Sequence, residues 1–208
     1  MLPLGVVAIA FRSFRPATAA AEAARLGFDH IDVGADADVD GCDLPVGDRL
    51  AGWDLREGCT CMAPVKGNVT WDEAVARLRR GPRCRIEPGP GTVCGSVESA
   101  RALVEAVPGL RLTVDTGHVA AWGEDPVELL DLADHVQLRQ AAPGRPQAHV
   151  DDGGAVDFSA VVDRLERLGY RGRLSVEYFD LPAYGWPLDD PVGWSVALAE
   201  RVRPLLSR

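Results

Sequence analysis

The chain has 208 residues, enough for one large domain, and its 47% hydrophobic and 25% charged side chains are the ordinary balance of a globular protein. Thirty-one acidic residues against 22 basic ones leave a net charge of −9, which argues against nonspecific binding to nucleic acid or to an anionic membrane. Five cysteines with no CxxC pair, an apolar start (LPLGVVAIAF) without a basic lead, and no run near the roughly 18 apolar residues of a membrane span point to a reduced, cytoplasmic protein.

Strand and helix signals alternate with short turns between them, the pattern of βαβ units and a parallel sheet. The first strand is expected over residues 4–10, followed by a helix from Pro16 to Leu26 that Gly27 ends as a left-handed cap. A second strand covers 31–33. Residues 34–58, rich in Asp and Gly, show only a weak helical pattern near Arg49. A third strand is read over 59–65, and Thr70 with Glu73 makes a capping box for a helix ending near Arg80. A strand at 84–87, a helix from Val97 to Val107 and a strand at 111–115 follow. Asp125 caps a helix with Pro126 in its first turn, and 135–139 is the next strand. A polar loop over 140–156 leads to Asp157, the cap of FSAVVDRLERLG, whose Phe158, Val161, Val162, Leu165 and Leu168 share one face. A strand at 174–178 and a last helix opened by Asp190-Pro191 and ending near Leu206 complete the series. The count is seven strands, one short of a full (β/α)₈ barrel. Either an eighth strand lies unread within 36–58 or one βα unit is absent. The expectation is one compact α/β, TIM-barrel-like domain over residues 1–208.

Four oxygen-bearing side chains close four of these strands: Glu87 in CRIEP, Asp115 in LTVDTGH, Gln137 in HVQL and Glu177 in LSVEY. In a parallel barrel the C-terminal strand ends meet on one rim, where active sites lie. Three carboxylates and one amide oxygen gathered there make an oxygen-only site for a hard divalent metal, Mn²⁺ or Mg²⁺ first, Co²⁺ or Zn²⁺ after them. Each residue also has a plainer reading: a strand-end Glu is commonly a surface charge, and a buried Gln can be satisfied by backbone alone. His135, at the start of its strand, is expected to face the opposite rim and to be structural. Lys66 and Arg12 follow their strands at the correct rim. The loop PGPGTVCG lacks the spacings of a nucleotide-binding loop. Trp122, Tyr178 and Trp186 are either pocket walls or packing.

VDTGH, HVQLRQAAPGR and GGAVDFSAVVDRLERLGYRGRLSVEY, with LGFDHIDVG nearer the start, resemble the sugar phosphate isomerase/epimerase group of xylose-isomerase-like TIM barrels. Within that group the chain looks most like the hydroxypyruvate isomerases. The resemblance is specific over 111–179, weaker over 1–35 and 84–90, and absent over 36–80. It implies metal ligands at Glu87, Asp115, Gln137 and Glu177. It also implies substrate binding by His118 of an Asp-x-x-His motif, by Arg145 of PGR, and by His149 ahead of a glycine loop. This chain departs from the pattern in four places: Gln140 lies near a position where many members carry Asp, the loop that holds His149 is longer, Gly-x-Gly has become Gly153-Gly154, and the region between the third and fourth strands is shortened. Read as ordinary residues, His118 would cap the next helix, Arg145 would be a solvated charge and His149 a loop residue.

A divalent metal at such a site holds two adjacent oxygens of an α-hydroxycarbonyl compound and stabilises the enediolate formed when the α-proton leaves. Two flanking carboxylates then act as base and acid, and Glu87 and Glu177, on well-separated strands, are the candidates. The expected activity is isomerisation or epimerisation of a small sugar or hydroxycarbonyl acid. A metal-dependent dehydratase or lyase on the same site is a second reading, and a non-catalytic binding or accessory protein on a reduced barrel is a third. A trinuclear-zinc endonuclease is disfavoured, because the chain has four histidines and an acidic balance. Whether copies associate is left open.

Overall fold

The computed structural model describes residues 1–11, 15–52, 54–62 and 65–207. Eight strands pair in parallel, in chain order, into a closed barrel. They are β1 Leu4–Val7, β2 Ile31–Gly34, β3 Val46–Gly52, β4 Thr60–Cys61, β5 Arg85–Ile86, β6 Arg111–Asp115, β7 Ala133–Leu138 and β8 Arg173–Val176. β8 returns to β1, with Leu4 beside Leu174 and Val6 beside Val176, so the sheet has no open edge. The count of seven is corrected: the eighth strand is β3, inside the stretch that the sequence left unassigned. What is reduced is the helical layer. Among the described residues no helix lies between β2 and β3, or between β3 and β4.

The helices are α1 Pro16–Arg25, α2 Trp71–Arg80, α3 Val97–Ala106, α4 Thr116–Trp122, α5 Phe158–Arg167 and α6 Pro191–Leu206. Their starts follow the capping chemistry. Thr70 and Glu73 bond reciprocally at the start of α2, Asp157 accepts from Ser159 and Ala160 in α5, and Asp190 accepts from Gly193 in α6. Some expected boundaries shift. The tail of the first strand is a 3₁₀ turn, Ala8–Phe11, and the segment capped by Asp125 is 3₁₀ over Pro126–Leu132. Of the span 59–65 only Thr60–Cys61 pair as strand, and residues 63 and 64 lie outside the described ones. Leu168, assigned above to the buried face of α5, is exposed just past its end.

The outer faces of the strands bury Val, Leu and Ile against the helices, but the barrel interior is polar. Asp32, Asp48, Thr60, Thr113, His135 and Ser175 are all buried. His135 Nε2 lies 2.8 Å from Asp32 Oδ2 across the barrel, and His30 Nε2 lies 3.0 Å from Ser175 Oγ. Arg85 pairs with Asp48, and Thr60 bonds to both Asp48 and Thr113. A Cβ at Gly5 or Gly47 would fall 2.3 or 2.0 Å from the His30 ring, so the imidazole occupies the room these glycines leave. His135 thus serves the inside of the barrel rather than its far rim.

Candidate active site

The C-terminal ends of β5, β6, β7 and β8 carry Glu87, Asp115, Gln137 and Glu177, all buried. Two basic side chains tie them together. His118, in the first turn of α4, places Nε2 3.1 Å from Glu87 Oε1 and 3.4 Å from Asp115 Oδ2. Arg139, two residues beyond Gln137, pairs with Asp115 Oδ2 and lies 3.8 Å from Glu177 Oε2. Gln137 donates from Nε2 to Glu177 Oε1 at 3.3 Å. Asp115 does a further task as the cap of α4, its Oδ1 accepting from Gly117 N–H at 2.7 Å.

Glu87, Asp115 and His118 each offer one ligand atom, and these atoms lie within 4.8 Å of one another, a group that could hold a metal ion. The Gln137 Oε1 is buried without a hydrogen-bond partner, the condition of an oxygen that fits a cation. The donors therefore fit a divalent ion, but as a mixed set with an imidazole nitrogen rather than as oxygens alone. Glu177 stands differently: Arg139 and the Gln137 amide already face its two oxygens. Burial pushes the Glu177 carboxyl up to about 8, with Arg139 pulling it down and Glu87 pushing it further up.

The cluster opens into a cavity of about 610 Å³ that Glu87, His118 and Glu177 line on the polar side and Leu50, Phe179 and Trp186 on the apolar side. A few polar groups against an apolar wall suit a small organic ligand. Phe179 and Trp186 stack on each other, with centroids 5.2 Å apart and planes 13° off parallel. Lys66 also lines this cavity.

Other expected residues lie elsewhere. Arg145 and His149 lie outside the lining of this cavity. The PGR turn bonds back on itself between Ala142 and Arg145, and the half-exposed guanidinium reaches Gln147 O and Asp152 at 3.2 Å each. His149 sets its ring edge-on to Trp194, 5.3 Å between centroids. Tyr178 is core, its hydroxyl accepting from Gln140 N–H and donating to Ala148 O. Gln140 is buried and bonds Val156 and Ala141, and Gly154 is needed there because a Cβ would fall 2.3 Å from the Gln140 side chain. Trp122 does not line the cavity, and Arg12 lies outside the described residues. Among the residues of this site that escaped the sequence reading are Arg139 and Phe179. Each lies two positions beyond a strand-end residue, Gln137 or Glu177, and the period of two along a strand was the signal that could have found them.

A model of the family described as xylose isomerase-like TIM barrel matches residues 68–201. Solved structures are similar across the whole chain. An L-ribulose 3-epimerase superposes with a TM-score of 0.74 at 16% identity, covering 100% of this chain and 95% of that one. A D-allulose 3-epimerase from Methylomonas sp., in complex with D-allulose, gives 0.69 at 17% identity, covering 98% and 96%. A probable 3-DHS dehydratase from Bacillus anthracis gives 0.69 at 15% identity, covering 98% and 100%. At such identities the likeness is one of fold. No curated protein matches the chain by sequence.

Proposed function

The chain belongs to the xylose isomerase-like TIM barrel family, and from that premise we propose that it isomerises or epimerises a small sugar or hydroxycarbonyl acid by proton transfer through an enediolate. The observation that carries this is the presence of two buried carboxylates, Glu87 and Glu177, on strands β5 and β8, lining one cavity of ligand size. Glu177 has the burial and the raised pKa of a group that can take a proton near neutral pH and return it. Glu87, held by His118 at 3.1 Å, is the second proton-handling group. The stacked Phe179 and Trp186 supply an apolar wall that would shield an enediolate from water.

Glu87, Asp115 and His118 would hold a divalent ion, with the Gln137 amide oxygen as a further donor. The carboxylates favour Mn²⁺ or Mg²⁺, and the imidazole also admits Co²⁺ or Zn²⁺. When bound, such an ion supplies positive charge that polarises a substrate carbonyl. In this reading Asp115 and Gln137 hold and orient, and Glu87 and Glu177 move protons.

Deuterium exchange tests the proposal. The protein is incubated in D₂O with a panel of small ketoses and hydroxypyruvate-like acids, and label at the carbon next to the carbonyl is followed by NMR. Wild type should wash deuterium into at least one compound, and Glu177→Gln should slow this by about 100-fold or more while the fold is kept. Absence of label in every hydroxycarbonyl compound would refute the proposal. Loss of a hydroxyl as water, in place of exchange, would reassign the site to a dehydratase.

A further inference from the structure

Lys66 is the only lysine of the chain; the rest of its 22 lysine and arginine residues are arginine. That one lysine lines the cavity of the candidate active site, and among the described residues that line it Lys66 is the only lysine or arginine. Elsewhere positive charge is supplied by guanidinium, as in the ion pairs of Arg56, Arg101 and Arg111. An ammonium differs in being a compact point charge with three donors on a flexible stem, which suits the capture of one carboxylate or phosphate.

The fold builds the position. Lys66 follows β4 and forms an antiparallel bridge with Thr92, on the loop that leaves Glu87. On either side of the bridge, Val93 N–H donates to Val65 O at 2.7 Å and Gly67 N–H donates to Gly91 O at 3.2 Å. Val65, the neighbour of the lysine, is fully buried. A Cβ at Gly89 would fall 3.1 Å from Met62 Cε and 3.5 Å from the His118 ring, so this loop lies against the site. β4 and β8 stand half a turn apart in the closed barrel, which sets Lys66 and Glu177 on opposite sides of its mouth. Leu50, Met62, Pro90 and Trp186 give the cavity apolar surface. A ligand with its reacting carbons at the carboxylates thus extends its far end toward the ammonium, in surroundings where a charge-assisted bond is stronger than in water. A neutral sugar offers there only a hydroxyl, a weaker acceptor than an oxyanion. Resting on the proton-transfer reading above, we infer that the substrate is an anion, a small hydroxycarbonyl compound carrying a carboxylate or a phosphate, and that Lys66 holds this group.

Three probes with one hydroxyketone in common test this: neutral dihydroxyacetone, hydroxypyruvate with its carboxylate, and dihydroxyacetone phosphate. Their affinities for the full chain are measured by calorimetry at one ionic strength. At least one anion should bind wild type about tenfold or more tightly than dihydroxyacetone, and which of the two does so separates carboxylate from phosphate. Lys66→Met, which keeps the stem and removes the charge, should bring this ratio to within about threefold of unity. Because Lys66 is the only lysine, its acylation by N-hydroxysuccinimidyl acetate in wild type is read by mass spectrometry from a single peptide. The preferred anion should suppress this acylation, and dihydroxyacetone at the same concentration should not. If Lys66→Met does not fold, the acylation decides alone. Failure of both anions to bind wild type, an anion preference that survives in Lys66→Met, or acylation that the anion leaves unchanged would overturn the inference. Deuterium exchange into neutral ketoses alone would also overturn it and leave the proton-transfer reading in place. An anion preference that depends on Lys66, with no exchange in any compound, would uphold the anion site and refute that reading.

Discussion

Gly117 lies in the first turn of α4, where alanine is ordinarily the better helix former by about 1 kcal/mol. Here a methyl group would meet Arg139 Nε at 2.6 Å and Arg139 Cβ at 3.1 Å. The arginine cannot swing away, because Phe179, Trp186 and Asp115 enclose it. Gly117→Ala should therefore destabilise the protein by about 1–3 kcal/mol in urea unfolding. In an Arg139→Ala background the same change should cost nothing or gain slightly, since the space is open and the helix propensity then counts. Equal losses in both backgrounds would mean that the clash is not with Arg139. The same contrast explains what could be read at this scale. Glu87, Asp115, Gln137 and Glu177 were legible because each ends an apolar run and the barrel gathers strand ends. Arg139 was not, because an arginine at the end of a strand reads as a solvated charge unless the alternation is followed through. Arg145 and His149 lie in an irregular loop, where position carries no period from which to infer a direction.

β3 is the element that the sequence hid, and its composition shows why. Val46-Gly47-Asp48-Arg49-Leu50-Ala51-Gly52 has two glycines and two charges and no run of branched apolar residues. Its buried residue is Asp48, which faces Arg85 and Thr60 rather than an apolar core. Gly47 is there because the His30 ring takes the place of a side chain. A strand whose inward face is polar defeats rules that search for inward Val or Ile. By contrast the capping residues Thr70, Asp157 and Asp190 were legible, since their chemistry is local. The absence of helices on either side of β3, among the described residues, has a consequence for its stability. β1 is buried throughout, while β3 is only half-buried at most positions. Amides of residues 46–52 should exchange with solvent on the order of tenfold faster than those of β6 and β7 in native-state hydrogen exchange. Equal protection would show that the barrel opens only as a whole.

At the scale of the molecule, four buried titratable groups set how stability depends on pH. Burial drives the His30 pKa down to about 4, against the pull of Asp32. Burial alone would raise Asp32 and lower His135, but the charge and hydrogen bond between them outweigh it, so Asp32 is lowered and His135 raised. Burial holds Glu177 at about 8. For His30, the unfolded chain takes a proton below about pH 6.5 that the folded chain refuses until about 4, so stability is lost as pH falls through that window. Asp32 adds a loss only below about 3.8, its ordinary value. Glu177 acts in the opposite sense: from 4.5 to about 8 the folded chain keeps a proton that the unfolded one has given up, so stability falls as pH rises. His135 adds to this decline above its ordinary 6.5. Between about 4.5 and 6.5 His30 and Glu177 oppose each other, and above 6.5 these four groups contribute only losses. Metal-free protein should thus lose about 2 kcal/mol from pH 6.5 to 8, at about 1.4 kcal/mol per proton and pH unit. Urea unfolding in chelator at the two pH values measures this, and a stability that rises over the interval would contradict it. Glu177→Gln should remove most of the slope, because the amide has no proton to give up. A downward slope that survives in that variant is the one expected of His135, and it should shrink when Asp32, the partner that raises the imidazole, is replaced by Asn.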